Sequence, residues 1–255
     1  MRKYQAGTLI LGILTFIGIS VGARPAGAAL YPPADIGYVT PTPLPPSFPE
    51  NHPKYTPPPP TPTATLMPRE TRITGLRRRG QRFSLSCEAH IAVTLAGWYG
   101  IAISEEAFQA ALPHSDNPEK GFVGDVNGSW GQTPPDDYGV HASPVAALLR
   151  TYGVPAQARR GMTWQELRAE LAAGRPVGVW VVGHVGNGTP KIYHARDGSL
   201  VTVARFEHTV IVVGYTPTEV RILDGAGVYT RSIGDFLRSW SVLGNMAITL
   251  EENSP

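Results

Sequence analysis

The chain has 255 residues, with 22 lysines or arginines against 20 acidic residues and seven histidines. Three of the basic residues and none of the acidic ones lie in residues 1–28, so the rest of the chain carries 19 basic against 20 acidic residues. This balance argues against a nucleic-acid-binding protein. The single cysteine excludes an intramolecular disulfide and leaves a free thiol or an intermolecular link.

The first 28 residues have the pattern of a secretory signal peptide. Arg2 and Lys3 precede an uncharged apolar stretch at residues 6–21, and residues 26–28 read Ala-Gly-Ala, the small residues of a cleavage site. We therefore expect export and cleavage after Ala28. The alternative is an uncleaved anchor helix, for which the stretch is near the short end of about 17–25 residues.

Residues 29–68 predict a proline-rich, disordered linker. Fourteen of the 25 prolines lie between residues 31 and 68, including four in succession at residues 57–60. Proline fixes φ and lacks an amide donor, so such a segment cannot build a core and is expected to be extended. It would hold the following domain away from a membrane or wall, which predicts association with the cell envelope.

Residues 69–255 predict one globular domain in which helices come first. Cys87, Ile91, Leu95 and Trp98 share one helical face, and Gly100 ends that helix. Further helices are predicted to begin at Ser104, at Ser143-Pro144 and at Thr163, where Glu166 completes a capping box; Gly153 and Gly174 end the last two.

Strands are predicted from five apolar runs, at residues 176–182, 209–215, 220–223, 228–230 and 246–250. Helices followed by strands predict an α+β fold, with the helix of Cys87 packed on a largely antiparallel sheet that carries His208. Residues 113–142 lack periodicity and predict a long loop of the kind that often forms a functional lid. Trp130 in this loop either lines a substrate groove or packs within the lid.

The position of Cys87 suggests a nucleophile. A cysteine acts as the thiolate, and the N-terminus of a helix lowers the pKa of a thiol. Cys87 follows Ser86 at a predicted helix start, so the free N–H groups of the first turn could also hold an oxyanion. Gln81, in the loop before the helix, could add a side-chain donor. Glu88 suits the helix dipole and needs no catalytic role.

His208 is the candidate general base, and Asp224 the group that orients its ring. The alternative is structural, because a cysteine on an apolar helix face is usually part of the core and an Asp before Gly225 is usually a turn residue. A zinc site from Cys87 with three histidines is a weaker alternative, since no closely spaced ligand pair is present; the histidines are His184, His194 and His208.

The chain resembles the C39-like cysteine peptidases, whose best-known members process bacteriocin leaders. The resemblance covers about residues 81–250 and is carried by these motifs: Gln81-x5-Cys87-Glu88-Ala89, Asn117 to Asp125, Tyr138 to Pro144, Pro176 to Val181, His208 to Tyr215 and Ile222-Leu223-Asp224.

The resemblance implies a papain-like fold and a peptidase with Cys87 as nucleophile, His208 as base, Asp224 as orienting acid and Gln81 in the oxyanion hole. Glu88 is typical of the secreted, stand-alone subgroup, so cleavage after a Gly-Gly leader is not implied. We expect a monomer that hydrolyses peptide or protein substrates without a cofactor or metal. The alternatives are a catalytically silent surface- or wall-binding module and an amide transferase.

Overall fold

The computed structural model describes residues 67–251, so the predicted signal peptide and nearly all of the predicted linker lie outside the described residues. The elements in chain order are β1 (Thr71–Arg72), α1 (Cys87–Trp98), α2 (Glu105–Ala111), α3 (Ala142–Thr151), β2 (Ala156–Arg159), α4 (Trp164–Ala172), β3 (Val177–Val182), β4 (Lys191–His194), β5 (Leu200–Val203), β6 (Glu207–Tyr215), β7 (Glu219–Asp224), β8 (Gly227–Ser232), α5 (Ile233–Ser241) and β9 (Ala247–Leu250). No helix in this range is long and apolar enough to cross a membrane.

One seven-stranded sheet organises the domain, in the order β2-β9-β3-β6-β7-β8, with β1 paired to the far end of β6. Its strand pairs are antiparallel, which confirms the predicted α+β class. The central strands β3 and β6 are buried along their whole length. Their valine-rich runs suit a strand covered on both faces.

Helices cover both faces of the sheet. α1, α2 and α3 bury one core and α4 and α5 bury the other. β6 contributes side chains to both cores, because successive side chains of a strand point to opposite faces. Ile211 belongs to the core of α1, and Val210 belongs to the core of α4 and α5. α1 approaches β3 closely at Gly178, where a Cβ would lie 2.9 Å from Cδ1 of Ile91.

Most predicted elements are present, with shifted ends. α1 begins at Cys87, and Thr163 and Glu166 form the predicted capping box. The predicted start at Ser143-Pro144 is wrong: His141 takes the extended N-cap conformation and α3 begins at Ala142. Pro144 remains in the first turn, where a helix needs no amide donor from it.

The sequence did not predict β1, β2, α5 or the two-stranded sheet of β4 and β5. The β4–β5 hairpin lies within residues 184–205, between two central strands. Residues 112–141 contain no helix or strand beyond isolated bridges, as the predicted long loop requires.

Candidate functional site

The thiol of Cys87 lies at the start of α1, buried against the sheet. Ser86 is the N-cap residue, but its side chain makes no capping hydrogen bond; its hydroxyl instead donates to Oε1 of Glu105 over 2.6 Å. The first-turn amides are therefore not occupied by a capping side chain. The positive end of the helix dipole lies at the sulfur.

The thiol of Cys87 makes a hydrogen bond to its neighbour Glu88. Sγ of Cys87 donates to Oε2 of Glu88 over 3.2 Å, and Oε1 of Glu88 accepts from the amide of Val140 at 2.6 Å. The backbone passes so close that a Cβ at Gly139, whose φ is +128°, would clash with Oε1 of Glu88. The loop before α3 therefore fixes the carboxyl group against the sulfur.

A second carboxyl group, that of Glu207, lies in the same place. Glu207 is 2% exposed, and neither of its carboxylate oxygens has a hydrogen-bond partner. Oγ1 of Thr209, two residues along β6, is also buried and interacts with the Cys87 thiol. Glu207 and Thr209 lie on the same face of β6, the one that faces α1 and Cys87.

This cluster favours neutral forms of its acids. Burial, followed by the charges of Glu88 and Glu207, raises the pKa of Cys87 well above its ordinary value, and the hydroxyl of Thr209 opposes the rise. Burial also raises the pKa of Glu88 to about 7, although the Val140 amide opposes the rise. The pKa of Glu207 is raised by burial and by Glu88. The thiol in this arrangement is a neutral donor.

His208 and Asp224 form the second part of the site. Nε2 of His208 lies 2.8 Å from Oδ1 of Asp224. Oδ2 of Asp224 lies 2.8 Å from Nδ1 of His184 and accepts from the Tyr229 hydroxyl at 3.1 Å. Burial acts to raise the pKa of Asp224, but the hydrogen bonds and charges of His208 and His184 lower it well below its ordinary value. Asp224 is therefore a carboxylate that holds two imidazoles.

Trp130 connects the two parts. Its indole Nε1 donates to the backbone carbonyl of Glu207 over 2.8 Å. Its ring lies edge-on to His208 at a centroid distance of 6.1 Å and tilted against His184 at 5.9 Å, while 40% of Trp130 stays exposed. The long loop thus reaches the candidate base, and its role as a lid stays a prediction.

The structure brings His208 and Asp224 together, but no hydrogen bond among the described residues joins either to Cys87. The pleat of β6 explains the separation, because Glu207 and Thr209 face the thiol and the intervening His208 is directed to the other face. The catalytic roles of Cys87, His208 and Asp224 stay predictions.

Gln81 lies before α1, as the sequence indicates, but its amide group is turned toward its own loop. Nε2 donates to the carbonyls of Phe83 and Ser84 over 2.8 and 2.9 Å. Both hydrogens of this group are then in use, and an oxyanion role for Gln81 stays a prediction.

Comparison with known proteins gives the family. The model of the Peptidase_C39 like family matches residues 84–248, well over half of the chain. The chain belongs to this family. The search of the curated proteins found no significant match.

One solved structure supports the family's papain-like fold. A Bacillus anthracis protein provisionally named a C39-like peptidase shares 20% identity with a TM-score of 0.65, covering 73% of this chain and 99% of that one. Xylellain, a cysteine protease from Xylella fastidiosa, shares 13% identity with a TM-score of 0.42, covering 73% and 87%.

Two groups of side chains in this C39-like domain have a composition that could hold a metal ion. One is His184, His208 and Asp224; the other is Cys87, Glu88 and Glu207, whose ligand atoms lie within 4.8 Å of one another. The zinc set considered from the sequence is not assembled, since Cys87 falls in a different group from His208.

Sequence reasoning missed Glu207 and assigned Glu88 to the helix dipole alone. One signal was available: Glu207 is a charged residue at the edge of a predicted buried strand, beside the candidate base. A carboxylate there needs a partner or a proton.

Proposed function

We propose that this chain is an exported cysteine peptidase that hydrolyses peptide bonds in peptide or protein substrates. The observation that carries the proposal is the placement of Cys87 at the first residue of α1, against the strand on which His208 is held 2.8 Å from Asp224. Family membership supports it, and the signal-like residues 1–28 support export.

The proposed reaction is acyl transfer through the sulfur. The thiolate of Cys87 attacks the substrate carbonyl, and the amides at the start of α1 hold the oxyanion, with Gln81 as a further donor. His208, protonated by the thiol, gives its proton to the leaving amine; neutral His208 then activates water to release the acid. Asp224 fixes the ring throughout, so that Nδ1 of His208 is the nitrogen available to the thiol.

The resting arrangement requires one rearrangement before this cycle. The proton of Cys87 is directed at Glu88, not at His208. Substrate binding has to release the thiol from Glu88 and turn the imidazole of His208, which is directed to the other face of β6, toward the sulfur. Trp130, on the loop that lies over His208, is the group best placed to move with the substrate.

The test is hydrolysis of a mixture of unstructured peptides by the full chain, read by mass spectrometry, beside Cys87→Ala and His208→Ala. Both variants are expected to lose turnover. His194→Ala, which removes an exposed imidazole from β4, is the matched control and should retain it. Turnover by Cys87→Ala equal to that of the parent would overturn the proposal.

A second candidate, a catalytically silent surface- or wall-binding module, is favoured by the buried neutral thiol that makes no hydrogen bond to His208. Alkylation of Cys87 against pH separates the two. A peptidase predicts a reactive fraction that falls in His208→Ala, because the imidazole promotes the thiolate. A silent module predicts slow alkylation that does not depend on His208.

A further inference from the structure

We propose that Cys87, Glu88 and Glu207 form a binding site for a divalent cation of the zinc class. The inference concerns binding, and only its consequence rests on the proposed peptidase function: a cation on the sulfur would hold the nucleophile inactive. No metal was expected from the sequence, because the site depends on which residues of β6 face α1.

The first argument is the donor set. One sulfur and two carboxyl groups, each from a buried residue, have their ligand atoms within 4.8 Å of one another. Zinc bonds to sulfur at about 2.3 Å and to carboxylate oxygen at about 2.0–2.2 Å. The ligand atoms of a tetrahedral ion therefore lie about 3.5 Å apart. Rotation of the Glu207 side chain, whose oxygens have no partner, can close the difference.

The second argument is the group of buried oxygens that have no partner. Both carboxylate oxygens of Glu207 are buried without a hydrogen bond. Buried polar atoms are nearly always satisfied, and each exception needs an explanation. Among the described ion pairs, none brings a lysine, arginine or histidine to Glu88 or Glu207. A bound cation accounts for the oxygens and for the two acids together.

The other metal-like group lacks this feature. In the group of His184, His208 and Asp224, the carboxylate already accepts from both imidazoles and from Tyr229. A cation there would only replace existing hydrogen bonds, whereas a cation at Cys87 would replace the bond from Cys87 to Glu88 and satisfy the two oxygens of Glu207 that have none.

The donor chemistry selects the class of cation. A thiolate favours zinc, cadmium and cobalt, whereas magnesium and calcium prefer oxygen ligands alone. On binding, the sulfur–hydrogen bond of Cys87 is replaced by a sulfur–metal bond and the proton is released to solvent. Three protein ligands leave the fourth position of a tetrahedral ion to a water molecule.

Cadmium is the probe that tests the site. A cadmium–thiolate bond absorbs in the ultraviolet, and because the chain has one cysteine, that band can come only from Cys87. The full chain, freed of metal with EDTA, is titrated with cadmium, and zinc is then added as a competitor. We expect a saturable band that zinc removes and that magnesium leaves unchanged.

Glu207→Gln should weaken cadmium binding by at least about tenfold, the lower end of the loss seen when even an outer partner of a metal ligand is removed. The matched control is Glu70→Gln, which changes an exposed carboxylate outside the cluster and should bind as the parent does. Circular dichroism checks that both variants fold. Should Glu207→Gln fail to fold, protection of Cys87 from alkylation by zinc in the unaltered chain serves as the second measurement.

Absence of the band, or a band of equal affinity in Glu207→Gln, overturns the site; so does a lack of protection by zinc where that measurement is used. These readouts need no substrate, so the metal site can fail while the metal-free chain hydrolyses peptides, and the metal site can be present in a chain that hydrolyses none. If the chain has both the metal site and the peptidase activity, zinc should inhibit hydrolysis reversibly, and EDTA should restore it.

Discussion

Two buried carboxyl groups beside the thiol decide the charge of this site. The acid of Glu88 has an ordinary pKa of 4.5 and a folded-state pKa of about 7, because burial penalises its charged form. Between these values the folded chain binds more protons than the unfolded chain. The contribution of protonated Glu88 to the stability of the fold is therefore complete below pH 4.5 and is lost as the pH rises toward 7.

The variant Glu88→Gln isolates this effect, because glutamine keeps an oxygen for the Val140 amide and cannot ionise. At pH 4.5 we expect the parent and the variant to unfold with similar free energies. As the pH rises, the free energy of unfolding of the variant should exceed that of the parent, by about 3 kcal/mol at pH 8. Urea denaturation across this range in EDTA measures the difference; a constant difference would mean that Glu88 does not ionise within it.

Asp224→Asn tests how His208 is held. Asparagine cannot accept as a carboxylate does, so the imidazole would lose its preferred tautomer. Peptide turnover should fall by about 100-fold or more. Tyr229→Phe removes a different hydrogen bond from Asp224 and should change turnover by only a few fold; equal effects of the two variants would count against an orienting role.

At the scale of single residues, residue type and motif predict Cys87, His208 and Asp224 as site residues. They do not identify Glu207, because the roles of neighbouring residues in a strand depend on which face each occupies. Composition cannot tell whether Glu207 or His208 faces α1, and that is decided only when the register of β6 against β3 is known.

The packing of α1 on β3 positions the thiol, and Gly178 is where the two elements come closest. A Cβ there would lie 2.9 Å from Ile91 and 3.3 Å from Leu95. Gly178→Val should therefore lower the free energy of unfolding by about 1–3 kcal/mol, as overpacked cores do.

Gly97→Ala is the control for this variant. Gly97 lies in α1 with open space around its Cα, so alanine should stabilise the chain by about 0.5–1 kcal/mol. Urea denaturation of both variants makes the comparison. A neutral effect of valine at Gly178 would mean that α1 can move away from the sheet at little cost.

Element prediction succeeded where a local signal decides the structure. The capping box of Thr163 and the apolar runs of β3 and β6 are such signals. It missed α5, although Ser232 and Asp235 give a local start signal, since the Ser232 hydroxyl accepts from the Asp235 amide. It also missed the β4–β5 hairpin, whose pairing is made within an insertion between two central strands.

The described fold reaches back to the end of the predicted linker. The carbonyl of Pro68 accepts hydrogen bonds from Tyr215 and Arg168, and Ile73 donates to Val213. Chain before residue 69 is thus tied to the sheet, although the prolines of residues 31–68 predict a spacer. The linker and the export signal themselves stay predictions.

Two truncations test this boundary. Removal of residues 1–66 should leave the free energy of unfolding unchanged, because the contacts of Pro68 and β1 remain. Removal of residues 1–72 should lower it by about 1–3 kcal/mol, since Tyr215 and an edge of β6 lose their partners. Equal stabilities would show that β1 adds nothing to the domain.

The partial exposure of Trp130 beside two imidazoles gives the protein an optical reporter. Trp130 is partly exposed, whereas Trp180 and Trp240 are fully buried. Indole emission shifts to shorter wavelength when the ring leaves water. The fluorescence of Trp130 should therefore report the arrival of a peptide beneath the loop, and replacement of Trp130 by phenylalanine should remove the signal.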